Sequence, residues 1–153
     1  AGGGDIWDPA DSFRYIFHTL PGDGTVSARL ASLGNSNSWA KAGLMLRTST
    51  DPVAPYYAIL VTPANGLVIQ YRTLQGGTTS QIAAGPGAGP IYVRITRTGT
   101  TFSAATSTNG TAWTVVPGSS VSLPALTGSL LSGMAVTSHD TTKLVTAVFD
   151  NVH

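Results

Sequence analysis

An all-β domain, either a sandwich or a barrel, is what this sequence predicts, and three observations predict it. Apolar positions alternate over short runs filled with β-branched and aromatic residues. Asn65-Gly66 and Asn109-Gly110 supply the positive φ angles that tight hairpins require. Breaks follow one another too closely to leave room for helices. In chain order, strands are expected over residues 13–18, 25–33, 40–48, 56–62, 67–73, 91–98, 101–107, 113–116, 130–138 and 144–152. The first is rich in aromatic residues, and the second places Val26, Ala28 and Leu30 on alternate positions. The fourth and fifth flank Asn65-Gly66, the sixth and seventh flank Thr98-Gly99-Thr100, and the eighth follows Asn109-Gly110. In 91–98 the odd positions Ile91, Val93 and Ile95 are apolar while Tyr92, Arg94 and Thr96 are not, as expected of a sheet with one face on the core.

Further breaks fall at Gly22-Asp23-Gly24, Thr50-Asp51-Pro52 and Gly85-Pro86-Gly87-Ala88-Gly89-Pro90. The last is short and lies between strands, so it reads as a loop rather than a domain linker. The expectation is a single domain over 1–153 without internal repeats. Its Gly-rich residues 1–4 form an arm that is flexible or ordered by assembly.

The chain has 153 residues, 42% hydrophobic and 10% charged, long enough to bury roughly 70% of its unfolded surface. Six arginines and two lysines against seven acidic residues leave a net charge of +1. That is no field for nucleic acid or an anionic membrane. No apolar run reaches the roughly 18–20 residues of a membrane span. Gly, Ser and Thr take the place of the usual charge, a surface suited to an extracellular setting, secreted or at a cell surface, or to an assembly. All seven acids are aspartates, and cysteine is absent, which removes disulfides, thiol nucleophiles and Cys-based zinc sites.

Asp5, Asp8 and Asp11 recur at three-residue spacing, and Asp150 lies in the last expected strand. Calcium accepts six to eight oxygen donors in irregular loops, so Asp5 and Asp150 are candidate ligands of a structural calcium ion. The competing reading is that these carboxylates cap turns. Trp39 follows the polar loop 34–38 and is a candidate for stacking on a sugar ring, whereas Trp113, after a hairpin turn, is expected in the core. If strands 67–73 and 91–98 share a sheet, Gln70, Arg72, Tyr92 and Arg94 share its outer face with Arg47. The ligand-binding candidates are therefore Trp39, Arg47, Tyr71, Arg72, Tyr92 and Arg94, the arginines forking onto hydroxyls or carboxylates. His18, His139 and His153 are scattered and give no zinc spacing. His139-Asp140 lacks a nucleophile elbow and reads as a turn.

Three stretches, Trp39-Ala-Lys-Ala-Gly-Leu-Met-Leu-Arg47, Gly133-Met-Ala-Val-Thr-Ser-His139 and Phe149-Asp-Asn-Val152, carry a resemblance, together with Ala10-Asp-Ser-Phe13 and Asn109-Gly-Thr-Ala-Trp113. They resemble the concanavalin A-like, laminin-G-like β-sandwich modules attached to many secreted bacterial enzymes. The resemblance spans nearly the whole chain. It implies a jelly roll of two antiparallel sheets, one of them concave, with the first and last strands paired and an accessory role. It also implies a calcium near the chain ends in some members, at the positions of Asp5 and Asp150. The catalytic branch of such folds uses strand glutamates, and this chain has none.

The expected function is thus non-catalytic glycan or polysaccharide binding through the concave face and its rim. The alternative is a structural subunit, a homo-oligomer or an extracellular filament, tube or sheath built through strand edges that only two lysines protect. An aspartate-based hydrolase or lyase acting on polysaccharide is the third reading.

Overall fold

The computed structural model describes residues 1–87 and 89–153, and every regular element in them is a strand. Two short strands, β1 (Ile6–Trp7) and β2 (Ala10–Asp11), form a hairpin of their own. After them come β3 (Arg14–Leu20), β4 (Gly24–Leu33), β5 (Lys41–Arg47), β6 (Tyr56–Val61), β7 (Leu67–Arg72) and β8 (Thr79–Ala83). The second half contributes β9 (Ile91–Thr98), β10 (Thr101–Ser107), β11 (Thr114–Val115), β12 (Val121–Ser122), β13 (Leu130–Thr137) and β14 (Ala147–Asp150).

Two six-stranded antiparallel sheets result, so the sandwich is realised and the barrel is not. The first runs β3-β13-β5-β6-β7-β8; the second runs β11-β10-β9-β4-β14, with β12 also pairing β10. The hairpins expected at Asn65-Gly66, Thr98-Gly99-Thr100 and Asn109-Gly110 all form, their glycines at φ of 72°, 61° and 77°. The last strand pairs β4 and not the first, correcting the terminal pairing that the resemblance implied. Residues 1–4 are held from within the chain, since Ala1 and Val145 exchange two hydrogen bonds and Ser138 Oγ donates to the Gly3 carbonyl.

Alternation explains the main core. Val26, Ala28 and Leu30 of β4 and Val93 and Ile95 of β9 meet Leu44, Leu46, Tyr57, Ile59 and Ile69 of the first sheet. At roughly 25 cal/mol per Å² of apolar surface removed from water, this interface is the principal stabilising element. Yet β5 and β6 are buried along their whole length, on both faces. The reason is a second, smaller core on the outer side of the first sheet, where Ile6 is packed with Met45, Tyr56, Ala58, Leu60, Val68 and Ala135. The chain before β3 folds back over that face and turns a half-buried sheet into a covered one. Strands approach closely there: a Cβ on Gly43 would lie 1.9 Å from the Ile59 carbonyl oxygen, so only glycine fits.

Three phenols are locked into these layers. Tyr57 donates to the Ser119 carbonyl (2.7 Å), Tyr15 lies 2.8 Å from the Met45 carbonyl and 2.9 Å from that of Leu131, and the Tyr56 hydroxyl meets Thr79 Oγ1 at 3.2 Å. Burial pushes all three above the ordinary tyrosine value of about 10. Their contribution to stability is complete below pH about 10 and is lost as pH rises beyond it, because the unfolded chain ionises first. Buried Lys41 acts in the opposite sense, burial pushing its ammonium down, so its share of stability grows toward the ordinary lysine value. With three groups against one, the urea midpoint is expected to fall above pH about 10, with phenolate absorbance from these tyrosines appearing together with unfolding. A midpoint unchanged through that range would contradict the locked arrangement.

Candidate functional site

The covering segment is fixed by charge. Asp11 is buried, and its Oδ2 accepts from Arg47 Nη1 at 2.6 Å and Arg72 Nη1 at 2.7 Å, while Oδ1 accepts from Arg72 Nη2 at 2.8 Å. Both guanidinium groups lie over the Tyr56 ring, 5.5 and 4.9 Å from its centroid. Remaining donors reach carbonyls: Arg47 those of Ser49 and Asp51, Arg72 those of Asp8, Ala54 and Gly77. Arg47 and Arg72 were candidates for ligand contact; they are instead spent on holding β2 to β5 and β7. Tyr71 also departs from its expected place, since its ring is packed against the main core. Gln70 does face the outer side, where its amide Nε2 donates to Gln81 Oε1 at 2.8 Å.

At the other end of the same face the covering segment stops short and leaves a cleft of about 260 Å³, lined by Asp5, Trp7, Trp39, Lys41, Gln81 and His139. Four parts of the chain build it. Asp5 and Trp7 come from the N-terminal hairpin, where the Asp5 carbonyl accepts from Ser12 N. Trp39 is placed by an Asx turn: Asn37 Oδ1 accepts from Trp39 N at 2.9 Å and the Asn37 carbonyl from Ala40 N at 3.0 Å. Lys41 opens β5 and Gln81 sits in β8. His139 follows β13 with φ of 55°, the left-handed region in which a histidine is tolerated at a turn.

Lys41 is the centre of this arrangement. It is 2% exposed, its ammonium donates to Asp5 Oδ1 at 2.5 Å and to the Ile6 carbonyl at 3.1 Å, and it stands 5.8 Å from the ring centroids of both Trp7 and Trp39. A buried lysine needs such an ion pair and aromatic company. His139 Nδ1 lies 3.0 Å from the same Asp5 oxygen but is not aligned for a hydrogen bond with it. The cleft therefore offers two indole faces, a carboxylate, an ammonium, an imidazole and an amide, with the carboxylate and ammonium cancelling in charge. Asp5 is the only carboxylate among the lining residues, so the pair of carboxyl groups that glycoside hydrolysis uses is not assembled here.

Of the residues singled out from sequence, Trp39 and Asp5 reach this cleft, Asp5 as the partner of Lys41. Asp150 is elsewhere, in β14 of the second sheet, bonded to Arg29 at 2.6 Å and Asn151 at 3.1 Å, so Asp5 and Asp150 do not share a calcium site. Among the described residues no group of three His or Asp is placed to hold a metal ion. Tyr92 and Arg94 also lie in the second sheet, on β9, and the expected common face with Arg47 and Arg72 does not exist. Trp113 is not in the core: it covers the outside of that sheet, with the Arg94 guanidinium 4.2 Å from its ring centroid and the Tyr92 ring edge-on at 6.5 Å. Trp7, Lys41, Gln81 and His139 were not singled out as ligand residues. The one signal for them is a lysine inside the apolar run Ala40-Lys41-Ala42-Gly43-Leu44, a position where charge needs a buried partner.

No protein-family model and no curated protein matches the chain. Solved structures do. A functionally unknown protein from Saccharomyces cerevisiae is similar over 100% of this chain and 83% of its own, with a TM-score of 0.79 and 15% identity. Carbohydrate binding module CBM66 from Bacillus subtilis is similar over 94% of this chain and 80% of its own, with a TM-score of 0.63 and 18% identity. The GH43 protein BlXynB from Bacillus licheniformis is matched over 82% of this chain and only 26% of its own, at a TM-score of 0.59 and 17% identity. The fold is that of a concanavalin A-like jelly-roll sandwich.

Proposed function

We propose that this chain is a carbohydrate-binding module that seats a neutral sugar ring between Trp7 and Trp39. The observation that carries the reading is the pair of indoles flanking a charge-balanced Asp5–Lys41 couple. Apolar faces of a sugar stack on aromatic rings, while its hydroxyls exchange hydrogen bonds with polar groups set around them, here donating to the Asp5 carboxylate and pairing with Gln81 and His139. The cleft, about 260 Å³, is smaller than the roughly 300–1,000 Å³ of sites for drug-sized ligands, which favours one ring over a longer segment. A neutral cleft favours a neutral sugar, since an acidic one would meet the Asp5 carboxylate. The fold likeness to a carbohydrate binding module supports the same reading.

Isothermal titration against neutral monosaccharides, oligosaccharides and matched uronic acids tests it. Binding of a neutral ligand, with quenching of tryptophan fluorescence, is the expected result. Silence across the panel from a folded sample, or turnover of a polysaccharide, would remove the proposal.

A further inference from the structure

We propose that the outer face of the second sheet holds a second saccharide site, built on Tyr92, Trp113 and Arg94, and that it takes an acidic sugar, a ring bearing a carboxylate. A cleft of about 220 Å³ opens there, lined by Ser27, Tyr92, Asn109, Trp113, Asn151 and His153. Alternation places it outside: Val26, Ala28 and Val93 belong to the main core, so Ser27 and Tyr92 face away from it. Two aromatic rings form its corner, the planes of Tyr92 and Trp113 meeting at 84°.

The hairpin between β10 and β11 builds one wall. Asn109 Oδ1 accepts from Thr111 N and Ala112 N, both at 2.9 Å, and from Thr111 Oγ1 at 3.0 Å, which leaves the Asn109 amide nitrogen as the group it offers a ligand. Gly110 brings this loop onto the Tyr92 ring. Its φ is 77°, and a Cβ there would stand 2.8 Å from a ring carbon of Tyr92. Trp113 follows directly and stays half-buried, one part on the sheet and one part open to the cleft.

Arg94 decides the class of ligand. Of the three arginines in the second sheet, Arg29 pairs with Asp150 at 2.6 Å and Arg97 donates to the carbonyls of Gly22 and Gly99. Arg94 does neither. Its guanidinium lies 4.2 Å from the Trp113 ring centroid, its Nε is buried with no hydrogen-bond partner, and no aspartate among the described residues pairs with it. An indole covers a cation but supplies no oxygen for its N–H groups. The charge of Arg94 is therefore uncancelled, beside a ring on which a sugar stacks, and a carboxylate is the partner that fits a guanidinium fork. In the Trp7–Trp39 cleft the cation is already matched, Lys41 by Asp5. Arg94 borders the second cleft through Trp113 and through Ser27, its partner across the β4–β9 pair. The sugar ring fills the corner, and its carboxylate reaches past the indole to the guanidinium.

Isothermal titration at pH 7 with an oligogalacturonate and with its fully methyl-esterified form tests this. The acid is expected to bind, the ester to bind more weakly, and added salt to weaken the acid. Arg94→Gln is expected to lower affinity for the acid about 10- to 100-fold, the range for losing hydrogen bonds to a charged group. Arg94→Lys keeps the charge without the fork and should fall between. Trp113→Ala should also weaken the acid, whereas Trp39→Ala should leave it unchanged, with circular dichroism and melting showing each variant folded. No binding of the acid by the folded chain, an ester that binds as well as the acid, undiminished binding by Arg94→Gln, or loss of the acid with Trp39→Ala would each overturn the proposal. The two sites fail separately, because they share no lining residue and are read with different ligands: neutral sugars report on Trp39, the acid on Trp113.

Discussion

Replacing Asp11 by alanine is expected to cost about 3–5 kcal/mol, the range for breaking a buried ion pair by removing one partner. The cost arises because Arg47 and Arg72 stay behind, 1% and 0% exposed, with no carboxylate between them. Against a total stability of about 5–15 kcal/mol for a domain of this kind, one substitution then removes about a fifth or more. The damage is not uniform. Asp11 is the point at which the N-terminal hairpin is tied to β5 and β7, so residues 5–13 are expected to lose protection from hydrogen exchange before the main core does. Asp5 and Trp7 ride on the same hairpin, so sugar binding is expected to fail along with it. A companion variant, Asp11→Leu with Arg47→Met and Arg72→Leu, separates charge from covering: apolar replacement of a whole buried ionic cluster is often neutral or better, so much of the loss should be recovered. An Asp11→Ala protein with an unchanged urea midpoint and intact exchange protection would show that the cluster does not hold the hairpin.

The same cluster shows where sequence reading reaches its limit. Alternation marks strands such as β4 and β9 because each faces the main core on one side and writes that contact into its own residues, as Val26, Ala28 and Leu30 do, while β5 and β6 are legible as short apolar runs between breaks. The outer face of the first sheet carries no such local mark. Arg47 and Arg72 look like solvated residues until Asp11 is known to lie over them, and Asp5-Ile6-Trp7-Asp8-Pro9-Ala10-Asp11 looks like turn chemistry because its partners are 36 and 61 residues away. β8, with one large apolar residue in Thr79–Ala83, pairs through its backbone and leaves little pattern to read. Tyr92 and Arg94 were placed with Gln70 and Arg72 because both segments alternate alike. Which sheet a strand joins is settled by topology, and β9 crosses to the second sheet between β4 and β10. Trp113 was assigned to the core on residue type, but Arg94 gives it a flat partner on the outside. Within the cleft only Trp39 was legible as a ligand contact, since its loop is visible in sequence. Lys41 and Asp5 find each other across 36 residues, and that contact is tertiary.

The second large effect is expected on binding. Trp39→Ala should weaken sugar affinity about 30-fold, equivalent to about 2 kcal/mol, the scale of a residue that dominates an interface. Trp39 is half-buried and packs against the smaller outer core, so part of the change will appear as lost stability, and the measurement must be made where each variant is folded. Trp39→Phe separates the two contributions, keeping a flat face for the sugar while giving up area. Its affinity should fall between those of the other two proteins. Trp7→Ala should act on the same ligand, and because both rings flank the Lys41 ammonium at 5.8 Å, their losses should not add. With one ring gone Lys41 loses half its aromatic cover and the cleft opens toward β8, so the second truncation removes less than the first. Full additivity would mean that the two indoles meet different parts of the ligand and not one ring held between them. Affinity unchanged by either truncation would place the sugar outside this cleft.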